Sequence, residues 1–290
     1  MESRSIERVL LIPNVGKPGI REMVENVAAL LFRHRVDVRL TAEDLEVLGL
    51  QLPSCDSAYA GWDLAVVLGG DGTVLHAVDL LWGLNVPIMG INIGKLGFLT
   101  AVEMHDAEDA LSRFFQGHYR ISERTPVGCT VGSGGEHGEH RALNEIVIGK
   151  HIRERLIHFS TYINGDFFMR YGGDGLIVSS ATGSTAYSLS AGGPIITPEL
   201  GCFLLTPVCA HMLFSRPMVL DRGDRVKVIV EKSPERLALS IDGREDVKVP
   251  PDAVIEFFAA DPPIRIVELE GTSFYRTLRE KFILPPQHYG

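Results

Sequence analysis

The segment LAVVLGGDGTVLHAV, residues 64–78, changes its hydrophobic period halfway along. Leu64 to Leu68 is an unbroken apolar run, the pattern of a strand buried on both faces. Beyond Gly69-Gly70-Asp71-Gly72-Thr73, the apolar residues Val74, Leu75, Val78 and Leu81 recur at helical spacing. The glycines permit a tight turn and let a ligand approach the backbone. The helix that follows would offer unpaired N–H groups and a positive dipole end, which suit a phosphate. Asp71 falls at the carboxyl end of the strand, where open parallel sheets bind their ligands. A carboxylate there can accept a proton from a substrate hydroxyl. The same residues also suit a plain strand–helix turn, with Asp71 as a helix cap and Gly72 structural. Two familiar nucleotide motifs are missing. Gly16-Lys17 is followed by Pro18 without the glycine frame of a P-loop, and no GxGxxG is present.

The surrounding sequence keeps the strand–helix alternation. Val9 to Ile12 reads as a strand, Ile20, Val24, Val27, Ala28 and Leu31 as a helix face, Val36 to Leu40 as a strand, and Ile88 to Ile91 as another. This rhythm predicts a Rossmann-like α/β domain with a parallel sheet over residues 1–118. Short β-rich runs follow, at 127–131, 146–148, 156–163, 176–178, 226–230, 237–241 and 254–258, separated by turn residues. They predict an all-β sandwich over residues 119–268. A small-residue segment near 183–193 could hold one helix. Residues 272–282 look helical, and the tail 269–290 is expected to pack back on the first domain. Gly132 to Gly138 reads as an exposed hairpin loop.

Bulk properties narrow the possible functions. The 290 residues are 45% hydrophobic and 22% charged, as in a folded globular chain long enough for two domains. A net charge of −9 argues against a general nucleic-acid binder. Four scattered cysteines, Cys55, Cys129, Cys202 and Cys209, form no CxxC pair. With no apolar run of membrane-spanning length and no signal peptide at the start, the expectation is a cytoplasmic protein with reduced thiols.

Two further segments carry polar chemistry. In DGLIVSSATGSTAYSLSAGGPI, residues 174–195, eight of the twelve residues from Ser179 to Ser190 bear hydroxyls, which suits orientation of a polar ligand or a plain serine-rich loop. Asn144-Glu145 opens an apolar strand run, and its amide and carboxylate suit ribose hydroxyls or a turn. Glu136-His137-Gly138-Glu139-His140 holds metal-ligand residue types, but in a glycine-rich segment rather than on a helix, so a solvated loop is expected. Lys95 could meet a phosphate or solvent.

Taken in order, GGDGT, PIMGINIGKLGFLT, LNE, GDGLIV…TGSTAYSLSAGGPI, TPVCAH…RPMVL, SIDG and a terminal LREKF resemble the NAD kinase family over residues 64 to 282. GGDGT alone is shared with lipid kinases and phosphofructokinase-like folds, whereas TGSTAYSLSAGGP is more specific. The resemblance implies transfer of a phosphoryl group from ATP, or polyphosphate, to the 2′-hydroxyl of the adenosine ribose of NAD. It implies that Asp71 accepts the hydroxyl proton and that Asp71, Gly72 and His76 contact the dinucleotide. Asn144 and Glu145 would hold ribose or adenine-side groups. Arg155, Gly172, Asp174, Thr185, Ala186, Tyr187, Ser188, Leu189, Ser190 and Arg244 would line the substrate pocket. A divalent cation, usually Mg²⁺, and a homodimer or homotetramer are implied too, with no nucleic-acid or membrane partner; no metal ligands are assigned. The alternatives are a lipid or small-polyol kinase of the same superfamily and a non-catalytic NAD(P)-binding regulator. Three departures stand out: Ser180-Ala181 replaces the usual Thr-Pro, which predicts a looser approach to TGSTAY; Arg244 replaces a common glutamine, which could favour an extra phosphate; and the terminal tryptophan is missing.

Overall fold

The computed structural model describes residues 6–55, 61–94, 97–100, 102–133, 136–150, 157–209, 215–231, 237–250 and 253–282. Two compact units emerge: residues 1–123 with 264–290, and residues 124–263.

The first unit alternates as its sequence suggests. Its elements are β1 (Arg8–Pro13), α1 (Ile20–Arg33), β2 (Asp37–Thr41), α2 (Ala42–Leu48), β3 (Ser54–Cys55), β4 (Leu64–Gly69), α3 (Asp71–Leu80), β5 (Ile88–Asn92), β6 (Val102–Glu103), α4 (Ala107–Phe115) and β7 (Tyr119–Arg124). The strand Ile264–Leu269 and the helix Phe274–Phe282 complete it. Among the described residues these strands form one sheet in the order β3-β2-β1-β4-β5-(264–269)-β7, with β6 on β5. The pairings β1–β2, β1–β4, β4–β5 and β5 with 264–269 are parallel. Leu64 to Leu68 are fully buried in the middle of it, which explains their unbroken apolar run. From β1 the sheet is extended to one side by β2, and from β4 to the other side by β5. The order therefore reverses between β1 and β4, and such a switch point leaves a crevice at the strands' carboxyl ends.

The second unit contains β8 (Val127–Ser133), β9 (Glu136–Ala142), β10 (Glu145–Lys150), β11 (Ile157–Ile163), β12 (Asp166–Gly173), β13 (Gly175–Ser180), α5 (Tyr187–Ser190), β14 (Cys202–Val208), β15 (Met218–Asp221), β16 (Val226–Val230), β17 (Leu237–Ile241), β18 (Glu245–Val249) and β19 (Val254–Ala259). Two antiparallel sheets result, β15-β14-β13-β10-β17-β18 and β12-β11-β16-β19-β8-β9. Their inward residues, among them Ile146, Ile148, Phe159, Val178, Phe203, Val228, Leu239 and Phe257, make one core. Continuing the labels, Ile264–Leu269 is β20 and Phe274–Phe282 is α6.

Two expectations are corrected. The unit division falls later and returns earlier than 118/119 and 268/269, because β7 and β20 join the parallel-sheet unit. The expected hairpin at Gly132 to Gly138 is more strand than loop: the antiparallel β8–β9 register runs from Val127↔Ala142 to Ser133↔Glu136, and residues 134–135 lie outside the described residues. β9 is an edge strand, whose backbone pairing does not require apolar side chains. Residues 183–193 do hold one short α-helix, α5. A 3₁₀ turn at Thr182–Thr185 and the single turn of α5 are separated at Ala186, whose φ −101° and ψ −130° lie outside the helical region. No helix among the described residues is long and apolar enough to cross a membrane, and none of the four cysteines forms a disulfide among the described residues.

Candidate active site

In the first unit Asp71 is the first residue of α3, at the carboxyl end of β4. It does not cap its own helix. Its carboxylate reaches across to the segment after β5, where Oδ2 accepts from Phe98 N (2.9 Å) and Oδ1 from Leu99 N (2.9 Å) and Thr100 Oγ1 (3.3 Å). The Lys281 ammonium of α6 lies 3.8 Å from Oδ2. Glycine is required opposite the carboxylate, because a Cβ on Gly97 would overlap Asp71 Oδ1. A Cβ on Gly69 would likewise overlap the Thr73 side chain, whose hydroxyl accepts from Asn14 Nδ2 at the end of β1 (3.3 Å). Gly72 is exposed with open space where a Cβ would be. The turn thus presents an N-terminal helix end and an anchored carboxylate at the switch point of the sheet. His76 is exposed five residues further on, roughly 140° around the helix from Asp71. Lys95 and Arg155 lie outside the described residues.

In the second unit the polar residues gather around Asp242. The β17–β18 turn has positive φ at Asp242 (48°) and Gly243 (66°), the conformation that Asp-Gly supplies. The turn aims the buried Asp242 carboxylate at the start of β10, where it accepts from Leu143 N (2.9 Å), Asn144 N (2.7 Å) and Glu145 N (3.0 Å). The Arg244 guanidinium lies 3.8 Å from the same carboxylate. The 182–185 turn packs directly on this corner. Asn144 O accepts from Ser180 N (2.8 Å), and a Cβ on Gly183 would overlap Asn144 O.

Part of the hydroxyl-rich segment is turned into the protein. Ser179, Ser180, Ser184 and Ser188 are fully buried. Ser180 Oγ donates to Leu143 O (2.5 Å) and accepts from Gly183 N (3.0 Å). Ser184 Oγ joins both backbone groups of Ile196, and Ser188 pairs with Thr206. These hydroxyls brace the loop from within. They also hold the approach that Ser180-Ala181 was expected to loosen. Tyr187, 45% exposed, and Ser190 face outward, while Thr185, Ala186 and Leu189 are half-buried. Asp174 is exposed where the chain passes from β12 to β13. Gly172 is buried beside His158, which a Cβ would press.

Glu145 is 7% exposed, and its Oε2 has no hydrogen-bond partner among the described residues. Burial, then the charge of Asp242, pushes its carboxyl up to about 7, against the opposing pull of the Tyr187 N–H. A carboxyl whose folded value is raised contributes stability below its unfolded value, and that contribution is lost as pH rises through the folded one. The loss should therefore span from 4.5 to about 7. Glu145→Gln keeps an acceptor for Tyr187 but does not titrate. Urea unfolding at pH 5 and pH 8 should show the wild type losing up to ~3 kcal/mol more than the variant across this window. An equal pH slope in both proteins would mean that Glu145 does not titrate there.

Sequence patterns did not reveal Phe98, Thr100, Asp242 or Lys281 as parts of these clusters. SIDG signals a tight turn, but not that its carboxylate binds backbone 97 to 99 residues earlier. The described residues contain no group of three or more His, Cys, Asp or Glu side chains able to hold a metal ion.

The N-terminal domain model of the ATP-NAD kinases matches residues 22–119, and their C-terminal domain model matches residues 143–269. An NAD kinase of Moorella thermoacetica is 36% identical over 95% of this chain and 89% of its own length. One of Clostridium kluyveri is 40% identical over 76% and 78%. The crystal structure of an Archaeoglobus fulgidus NAD kinase in complex with ATP superposes with a TM-score of 0.74 at 27% identity, covering 94% of this chain and 98% of that one. Yeast NADH kinase complexed with NADH shares the fold, with a TM-score of 0.88 at 24% identity over 96% of this chain and 88% of its own. With both domain models matched in order and relatives this similar over nearly its whole length, the chain belongs to the ATP-NAD kinase family.

Proposed function

We propose that this chain transfers the terminal phosphoryl group of ATP to the 2′-hydroxyl of the adenosine ribose of NAD, giving NADP and ADP. The observation that carries the mechanism is the anchoring of Asp71. Its Oδ1 accepts two hydrogen bonds and its Oδ2 one, with Lys281 beyond hydrogen-bond distance. A carboxylate has about four lone-pair sites, so Oδ2 keeps one for an incoming proton. As the ribose oxygen bonds to the terminal phosphorus, the bond from phosphorus to the bridging oxygen of ADP breaks. The hydroxyl proton passes to Asp71 Oδ2. Such transfer depends mainly on positioning and charge stabilisation, and the N-terminus of α3 beside Asp71 supplies a fixed positive dipole end.

Asn144, Glu145, Asp174, the Thr185–Ser190 segment and Arg244 are proposed to hold the dinucleotide. The unpartnered Glu145 Oε2 supports this, because a ribose hydroxyl would give it the donor it lacks. A divalent cation riding on the donor's phosphates needs only one or two protein carboxylates and keeps several waters. Neither unit offers a cage of its own among the described residues, and Asp71 is committed to backbone amides. The described residues therefore supply no all-protein metal centre. Assembly as a homodimer or homotetramer in the cytoplasm completes the proposal. Light scattering measures the assembly.

The test crosses ATP and polyphosphate with NAD, NADH and diacylglycerol, read by mass spectrometry. One phosphoryl group added to the dinucleotide supports the assignment. Phosphorylated lipid, or dinucleotide binding without any product, would overturn it.

A further inference from the structure

Asp71 is held from the far end of the chain. Helix α6 places Phe274, Lys281 and Phe282 at positions i, i+7 and i+8, which share one face. The rings of Phe274 and Phe282 lie 6.1 and 6.2 Å from that of Phe98, and the Lys281 ammonium sits 4.4 Å from the centre of the same ring. Phe98 is the residue whose N–H anchors Asp71 Oδ2, the oxygen that Lys281 also approaches. Ring contacts and charge from α6 thus converge on one backbone amide and one carboxylate oxygen. No residue of α6 is fully buried, so the helix adds little core of its own. The Lys281–Asp71 pair is about a third exposed on both sides, and pairs of this kind contribute little to folding.

We infer that Lys281 is a positioning residue for phosphoryl transfer: with α6 closed over Phe98, its ammonium fixes the direction of Asp71 Oδ2. The 3.8 Å separation leaves the free lone pair of Oδ2 available while the charge restrains its rotation. The inference rests on Asp71 as the proton acceptor.

The test measures kcat, both KM values and thermal midpoints of the full chain carrying Lys281→Met, Lys281→Arg, Asp71→Asn or Asp71→Asn with Lys281→Met. Lys281→Met should lower kcat by roughly 10- to 100-fold, the size expected of a misdirected reacting group, with both KM values nearly unchanged. Arginine should restore most of the rate, because it keeps the charge and reach. If Lys281 acts through Asp71, removing it from the Asp71→Asn protein should change kcat by less than about twofold, since coupled residues are not additive. A wild-type kcat in Lys281→Met would overturn the inference, as would an equal loss in the Asp71→Asn background. A raised KM for ATP at unchanged kcat would overturn it too, by making Lys281 a phosphate contact. A fall in thermal midpoint that accounts for the lost activity, with no rescue by arginine, would reduce it to a packing residue. Failure of the underlying reading shows separately, as near wild-type turnover in Asp71→Asn alone.

Discussion

Asp71→Asn is expected to lower turnover by roughly 10²- to 10⁴-fold, the range for a positioned general base. NAD affinity should change by no more than about tenfold, or ~1.4 kcal/mol, because the dinucleotide contacts proposed for the second unit are untouched. The substitution is not silent structurally. Both carboxylate oxygens of Asp71 accept from a backbone N–H, so an asparagine must turn its NH₂ toward either Phe98 N or Leu99 N. One amide loses its acceptor, at a cost of about 1–3 kcal/mol. Rate and affinity alone would therefore confuse a lost base with an opened loop. Hydrogen exchange at the Phe98 and Leu99 amides separates them. Low rate with at least one of the two amides still protected assigns the loss to proton transfer. Low rate with both amides unprotected makes Asp71 a brace. Near wild-type rate removes it from the chemistry, and the proton then leaves by another route.

The difference between a brace and a base could not be read from residues 64–78. The β4–turn–α3 unit was legible because its signals are local: a doubly buried strand, glycines that must approach other atoms, and a helical period. The destination of the Asp71 carboxylate was not, since its partners lie 27 to 29 residues away. Burial explains the other mismatches. The composition of Ser179 to Ser190 suggested a polar ligand surface, yet four of its serines are fully buried and satisfied within the protein. Hydroxyls serve either purpose, and composition does not say which way they face. β9 looked like a loop because an edge strand is free of the apolar alternation that marks an interior one. Glu145 was visible as the opening of a strand, but its unpartnered oxygen depends on Asp242 and Tyr187 coming from distant segments.

Asp242→Ala should produce the largest loss of stability. The carboxylate serves three consecutive backbone donors, and the bonds to Leu143 and Glu145 are buried. Deleting it leaves at least two amides desolvated and unpaired, each worth about 1–3 kcal/mol. Alanine must also adopt the left-handed conformation at φ 48°, which costs roughly 1 kcal/mol more than at an ordinary position. One term opposes these losses: without the neighbouring charge, ionised Glu145 is less strained. The net expectation is about 3–5 kcal/mol lost from the unfolding transition of the second unit, at the upper end for single substitutions. Asp242→Asn separates the contributions. Asparagine tolerates the left-handed region and keeps one acceptor, so it should lose roughly half as much. Urea unfolding of both variants, with hydrogen exchange at residues 143–145, measures the series. A loss below ~0.5 kcal/mol in the alanine variant would show that the three amides find other partners. The NAD Michaelis constant should rise with the stability loss, because this carboxylate fixes the backbone that carries Asn144 and Glu145. If the constant stays unchanged while the turn loses its exchange protection, then Asn144 and Glu145 do not hold the dinucleotide.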